Sequence, residues 1–290
     1  MRHRHAAAFG VEGTRRLAGV ARGPLIGTII KPSVGLDAQQ TAEQVRQLVE
    51  GGIDFIKDDE LQGDGPGCPF DERAAAVMRV VNDAADKTGR KVMVAFNITG
   101  DLDRMKRRHD RVRELGGTCV MVCVASVGIA GLVELRRHST LPIHAHRAGW
   151  GYLSRSPALG WDFAAWQKIW RLAGADHLHV NGLRNKFSEP DDVVMRGARA
   201  VATPLFGHAP MATMPVFSSA QTGLQALDTF TGLGSADLIC TAGGGIFGHP
   251  DGVPAGVSAL RQAWDAAIAG IDLQRHAQTH GELARALSFW

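Results

Sequence analysis

The sequence predicts a closed (β/α)8 barrel, and three observations carry that reading. Eight short apolar runs alternate with eight helix-like segments over roughly 250 residues, the usual size of such a barrel. The apolar runs are near-continuous, as in CVMVCVA at 119–125, which suits parallel strands buried on both faces. No GxGxxG follows the first run, which weakens the rival open doubly wound sheet.

The units follow one another along the chain. PLIGTIIKP at 24–32 reads as the first strand. The helix after it spans 37–50, with Asp37 as N-cap and Gly51-Gly52 as its stop. Strands are then expected at 53–59, 91–98, 118–125, 141–147, 177–181, 213–218 and 237–242. Helices are expected between them at 70–87, 101–115, 129–138, 161–173, 191–202 and 223–233. An eighth is expected at 254–269, and the tail after 270 reads as one short amphipathic helix. Trp161, Trp166 and Trp170 have helical spacing and should pack outside the barrel or against a partner subunit.

Composition narrows the function classes. Apolar residues make up 45% and charged residues 21%, as in globular chains. Glycine occurs 35 times in 290 residues, above the ~7% of an ordinary chain, with no collagen-like period. These glycines are expected at turns or where backbone approaches a ligand. The 32 basic and 29 acidic residues leave a net charge of +3, which argues against nucleic acid or an anionic membrane as partner. The run Arg104 to Arg113 reads as the solvated face of its helix. Four cysteines at this length form no disulfide framework and point to a reducing, cytoplasmic location. No apolar run reaches the ~18 residues of a spanning helix. Met1 to His5 is basic but leads into no signal-like core.

In such a barrel the chemistry sits where strands end. The first strand ends in Lys31, the second in Lys57-Asp58-Asp59-Glu60, and the third in Asn97 and Thr99. The fifth ends in His144, His146 and Arg147, and the sixth carries His177 and His179. The seventh ends in Ser218-Ser219 and the eighth in Gly243-Gly244-Gly245. Strand alternation places Lys57 and Asp59 on one face and Asp58 on the other, with Glu60 free to turn back. Two carboxylates and a third anionic oxygen suit Mg²⁺. Lys57 could supply that oxygen only as a carbamate formed with CO₂. The alternative is an ion-paired KDDE cluster. The strand-8 glycines could cradle a phosphate or simply make a tight turn. Arg147, His179 and Ser218 could hold a second anion. His144 and His177 read as hydrogen-bonded structural residues, and Cys119 and Cys123 as buried strand residues.

Six runs resemble a known family. GTIIKPSVGL (27–36), GGIDFIKDDE (51–60), HAHRA (144–148), DHLHVNGLRNK (176–186), MPVFSS (214–219) and TAGGGIFGHPDG (241–252) are similar to the barrel of the ribulose-bisphosphate carboxylase (RuBisCO) superfamily. The resemblance implies a TIM barrel of the RuBisCO C-terminal-domain type. It implies that Lys57 is carbamylated and binds Mg²⁺ with Asp59 and Glu60. It makes Lys31 an acid/base lysine and puts Lys186 on the mobile loop after strand 6; Lys31, His146 and Lys186 are the expected catalytic residues, with Lys31 or His146 protonating carbon. Arg147, His179 and Ser218 would hold one end of a sugar phosphate, and Gly243 and Gly244 the phosphate at the other.

The departures argue against a CO₂-fixing carboxylase. Carboxylases carry a second lysine where this chain has Ser33, and two glycines where it has Ser219 and Ala220. KDDELQGDGPGCPFDERA, HRAGWGYLSR and HVNGLRNKFSEP resemble the branch that decarboxylates phosphorylated 3-oxo sugar acids of the 3-oxo-isoapionate 4-phosphate type. The expected activity is thus a Mg²⁺-dependent lyase acting through a metal-stabilised enediolate. The alternatives are an enolase or isomerase of a ketose 1-phosphate, of the methylthioribulose-phosphate type, and a truncated, non-catalytic barrel subunit. The expected partners are a phosphorylated keto-sugar acid and further copies of the chain, as a homodimer or higher homo-oligomer. Residues 1–20 read as a short N-terminal segment and 21–290 as the barrel, with the family's N-terminal cap domain absent.

Overall fold

The computed structural model describes residues 7–156, 158–187, 189–206 and 212–290. The basic stretch Met1 to His5 lies outside them. Eight parallel strands close in sequence order: β1 Leu25–Ile29, β2 Phe55–Lys57, β3 Met93–Asn97, β4 Cys119–Cys123, β5 Ile143–His146, β6 His177–Asn181, β7 Met214–Phe217 and β8 Ile239–Thr241. Closure is made by β1 against β8, with Leu25 opposite Ile239. Each strand falls inside its expected span and is shorter or equal to it.

Alternation along the strands makes two cores. Leu25, Phe55, Met93, Met121, Met214 and Ile239 point inward and form a dry cluster inside the barrel. Ile26, Ile56, Val94, Val120, Ile143 and Leu178 point outward and pack beneath the helices. Gly27 faces inward against Phe55: a Cβ there would lie 3.1 Å from the ring. The small residue on β1 makes room for the large one on β2.

The helices are α1 Gly10–Ala18, α2 Ala38–Glu50, α3 Phe70–Thr88, α4 Leu102–Glu114, α5 Val124–His138, α6 Trp150–Ser154, α7 Phe163–Ala173, α8 Asp191–Ala202, α9 Ala226–Leu233, α10 Gly244–Phe247, α11 Val253–Ala269, α12 Leu273–Ala277 and α13 Gly281–Leu287. Asp37 caps α2 in a reciprocal capping box with Gln40. Asp101 and Asp162 cap α4 and α7 by accepting from the Arg104 and Ala165 N–H groups, without the reciprocal bond. Inside α5, Gly128 leaves helical geometry at φ 70°, so the regular helix starts at the expected residue 129.

Four details differ from the sequence reading. The tail is two short helices, because Gln262 of α11 accepts from the Leu283 N–H and starts a second one. Arg108 and His109 are buried. Arg108 reaches Asp64 at 2.8 Å, and Arg108 and Arg73 lie over the Phe70 ring at 5.2 and 5.5 Å, which pins the loop after β2. Trp161 precedes α7 and is half-exposed, whereas Trp166 and Trp170 are buried. Finally, α1 is a helix that the strand–helix alternation did not reveal.

Helix α1 packs against the N-terminal ends of the strands. Asp176 Oδ1 accepts from the N–H groups of Phe9 and Gly10 at 2.7 and 3.1 Å. Its Oδ2 accepts from Ile143 N–H and from Arg136, at 2.9 and 2.8 Å. The Thr14 hydroxyl donates to the Gly10 carbonyl and so accepts from His177 Nε2 at 2.8 Å. Burial holds the His177 imidazole down to about 3, so it is neutral. Asp176→Ala would leave Arg136 buried without its carboxylate. The expected loss is about 3–5 kcal/mol, the usual cost of removing one partner of a buried ion pair. Urea denaturation measures it, and a loss close to zero would mean that Asp176 does not fasten α1.

Candidate active site

The C-terminal ends of the strands open into a cleft of about 880 Å³. Ten of the eleven site residues expected from the sequence line it: Lys31, Lys57, Glu60, His146, Arg147, His179, Lys186, Ser218, Gly243 and Gly244. Asp59 lies beneath them, fully buried under Lys31.

Strand β2 builds the floor by alternation. Lys57 points into the barrel, and its Nζ donates to Glu60 Oε2 at 3.0 Å and to the Asp58 carbonyl at 2.9 Å. Asp58 points outward, where it accepts from Arg73 of α3 at 3.2 Å and from the Asn97 N–H at 2.9 Å. Asp59 Oδ2 accepts from Lys31 at 2.5 Å and from Ser33 at 2.8 Å, and its Oδ1 accepts from Leu61 N–H. Burial lowers the Lys57 amine below its ordinary value, outweighing the pull of Glu60 and Asp59. Burial alone would raise Glu60, but the Lys57 ammonium and hydrogen bonds hold it below the usual carboxylate range.

The donor set fits a carbamate and Mg²⁺. CO₂ adds to a neutral amine, and burial makes Lys57 a better source of one than a surface lysine. A carbamate at Lys57, with Asp59 and Glu60, would give three negative charges. A divalent cation and the Lys31 ammonium would balance them to zero. As the residues stand, the same groups also form the ion-paired cluster that the sequence left open.

Histidines fill the next layer. The Ala148 N–H donates to His146 Nδ1 at 3.1 Å, so the His146 proton sits on Nε2, 3.5 Å from Glu60. His144 and His179 share a hydrogen bond between their Nε2 atoms at 2.8 Å, and His179 Nδ1 meets Ser218 Oγ at 3.2 Å. Burial pushes all three well below the ordinary value, and the neighbouring cations and imidazoles add to it. They are neutral at neutral pH.

Arg147 lies at the far side, paired with Glu189 at 2.7 Å. Lys186 sits over the Phe187 ring at 5.5 Å. Gly243 caps and Gly244 begins the short α10. A Cβ at Gly244 would meet nothing within 4 Å, so packing makes no demand for glycine there. At Gly245 it does, because a Cβ would lie 2.7 Å from the Gln221 carbonyl.

Two rim residues serve the site from behind. Asn97 does not line the cleft. Its amide Nδ2 faces the carbonyls of Asp59, Glu60 and Gln62 at 3.3, 3.2 and 3.1 Å. Its Oδ1 accepts from Thr99, whose hydroxyl accepts from the Cys123 N–H. One amide thus ties the acidic loop to β3 and β4. Glu189 escaped the sequence reading altogether, since nothing in its spacing shows that it returns to β5. Burial raises the thiols of Cys119 and Cys123, which keeps them protonated.

The described residues hold one other group with ligand-like spacing: His109, Asp110 and His138. The Thr140 N–H donates to His109 Nε2 at 3.2 Å, so Nδ1 is protonated and donates to Asp110 at 3.0 Å. The cluster joins α4 to α5 by hydrogen bonds and offers no free His109 lone pair toward a metal.

Residues 10–290 match the family described as ribulose bisphosphate carboxylase large chain, catalytic domain. The chain belongs to that family. It is 68% identical over 283 residues to a protein of Xanthobacter autotrophicus named 3-oxo-isoapionate-4-phosphate transcarboxylase/hydrolase, covering 98% of this chain and 68% of that one. It is 47% identical over 282 residues to a 3-oxo-isoapionate-4-phosphate decarboxylase of Rhizobium etli, covering 97% and 67%. The structure of a rubisco-like protein from Burkholderia fungorum superposes with a TM-score of 0.96 at 48% identity, covering 99% of this chain and 71% of that one. The chain therefore spans about two thirds of the length of these RuBisCO-like relatives.

If Asp59 and Glu60 bind Mg²⁺ and Asn97 sets their spacing, Asn97→Ala should weaken that binding about 10–100-fold, as loss of a ligand-orienting partner does. Calorimetry in bicarbonate buffer measures this, and unchanged affinity in a folded variant would reduce Asn97 to a loop prop.

Proposed function

We propose that this RuBisCO-like chain breaks the carbon–carbon bond to the carboxylate of a 3-oxo sugar acid phosphate of the 3-oxo-isoapionate 4-phosphate type. The observation that carries the reading is the buried Lys57, with its lowered amine, placed between Asp59 and Glu60 at the mouth of the barrel. The names of the relatives at 68% and 47% identity support the substrate class.

Lys57 adds CO₂ through its neutral amine, releasing a proton and leaving a carbamate. Carbamylated Lys57, Asp59 and Glu60 would hold Mg²⁺, which would supply positive charge to stabilise the electrons left when the carboxyl carbon departs. The electrons of the broken bond pass to the ketone oxygen and leave an enediolate. Lys31 then delivers a proton to carbon. The structure favours Lys31 over His146 for this task, because His146 is neutral and its Nδ1 is occupied by the Ala148 N–H. His146 instead donates a hydrogen bond from Nε2. Lys186, Gly243 and Gly244 serve the phosphate, and Lys186 approaches as a point charge.

The fate of the carboxyl group separates two readings. The sequence reading is release as CO₂. The 68% relationship favours a second, in which the carboxyl is retained by transfer. Substrate labelled with ¹³C at the carboxyl decides: label in CO₂ means decarboxylation, label in an acid product means transfer, and label left in substrate overturns the proposal. The protein is proposed to work as a homo-oligomer in the cytoplasm. The half-exposed Trp161 and Phe187 at the cleft mouth support a covering partner. No helix among the described residues is long and apolar enough to cross a membrane.

Two substitutions test the roles. Lys57→Ala should abolish bicarbonate-dependent Mg²⁺ binding, and equal Mg²⁺ affinity with CO₂ rigorously removed would exclude the carbamate. Lys31→Met should leave folding and Mg²⁺ binding near normal but slow turnover by about 10²–10⁴, the usual contribution of a general acid. Full activity in that variant would remove Lys31 from the chemistry.

A further inference from the structure

Arg147 is held by one carboxylate. Its two terminal nitrogens grip Glu189 as a fork, Nη1 to Oε1 at 3.3 Å and Nη2 to Oε2 at 2.7 Å. Its guanidinium lies over the Phe163 ring at 5.0 Å. Glu189 Oε2 also accepts from Asn181 Nδ2 at 2.8 Å. Asn181 ends β6 at φ 75°, a left-handed conformation that asparagine tolerates. The Arg147 and Glu189 side chains are only 13% and 14% exposed, so water screens the pair little. This end of the cleft has Arg147 balanced by Glu189, a neutral His179 and the Ser218 hydroxyl. Gly243 and Gly244 follow β8, three strands round the barrel from β5, and no carboxylate pairs with Lys186 among the described residues.

We infer that Glu189 determines specificity by making the Arg147 end a subsite for hydroxyl groups, so that the ligand carries one phosphate, bound on the Gly243–Gly244 side of the cleft. The inference rests on the sugar-phosphate reading above and adds which end of the substrate is charged. A phosphate dianion entering at Arg147 would meet the Glu189 carboxylate on the same guanidinium. Displacing Glu189 would leave a nearly buried carboxylate with only the Asn181 amide for company. A sugar hydroxyl meets no such opposition. It can donate to Glu189 and accept from Arg147 or Ser218 while the ion pair stays closed.

Two probes test this without turnover: ribitol 5-phosphate and ribitol 1,5-bisphosphate, each titrated calorimetrically into the full chain. In the wild type the second phosphate should bring no more than about a threefold gain in affinity. Glu189→Gln keeps the shape and the acceptor for Asn181 but frees the Arg147 charge. There the bisphosphate should gain about tenfold or more, the worth of one new charge-assisted hydrogen bond. Lys186→Met should weaken both probes in the wild-type background. A tenfold preference for the bisphosphate in the wild type overturns the inference, as does an unchanged ratio in Glu189→Gln. If that variant does not fold, the wild-type ratio still decides. Failure of both probes to bind would sink the sugar-phosphate reading together with this one. Tight monophosphate binding with an unchanged ratio sinks this one alone. Absence of carboxyl cleavage with the expected ratios leaves it standing and counts only against the proposed reaction.

Discussion

Closure of eight parallel strands imposes one constraint on everything at the cleft: side chains must alternate between the barrel interior and the helical shell. Along β2 this sends Lys57 inward and Asp58 outward in consecutive residues. The outward carboxylate locks the strand to Arg73 of α3. The inward amine is left in a dry mouth with two further carboxylates nearby. A one-residue slip would exchange these fates and dismantle the site. The same rule places His144 and His146 beside His177 and His179 from neighbouring strands.

Electrostatic balance is the second organising theme. Three cations of the cleft wall are compensated within hydrogen-bond reach: Lys31 by Asp59, Lys57 by Glu60, and Arg147 by Glu189. The histidines contribute no charge because burial keeps them neutral. Such a cluster accepts a new ligand only by rearranging its pairs. CO₂ would convert one cation into an anion at Lys57 and so open the acidic pair to a metal. No equivalent conversion exists at Glu189, which keeps its hold on Arg147.

The barrel was legible because each strand is a short apolar run punctuated by glycine or a capping residue, and because polar residues crowd only the strand ends. Lys31, Lys57 and His179 could be placed at one rim from position alone. What escaped was set by distant chain segments. Glu189 sits three residues beyond Lys186, yet its partner, Arg147, directly follows β5. Asn97 looked like a ligand-facing rim residue, but its amide turns behind the loop. Helix α1 has the sequence of any surface helix, and the distant Asp176, His177 and Asp237 give it a seat. Arg108 lies in a basic run that reads as solvated, and its burial depends on Asp64 in a different loop.

The docking of α1 bears on the order in which the molecule assembles. Its anchors, Asp176, His177 and Asp237, lie more than 160 residues further along the chain. On the ribosome, α1 emerges before any strand, yet it has no surface to sit on until β6 has been made. Its last anchor, Asp237, arrives only with the approach to β8. Contacts separated by so much chain form slowly. The helix that precedes every strand of the barrel is therefore among the last of its parts to settle, and the floor of the barrel stays open during elongation while its wall is being laid down.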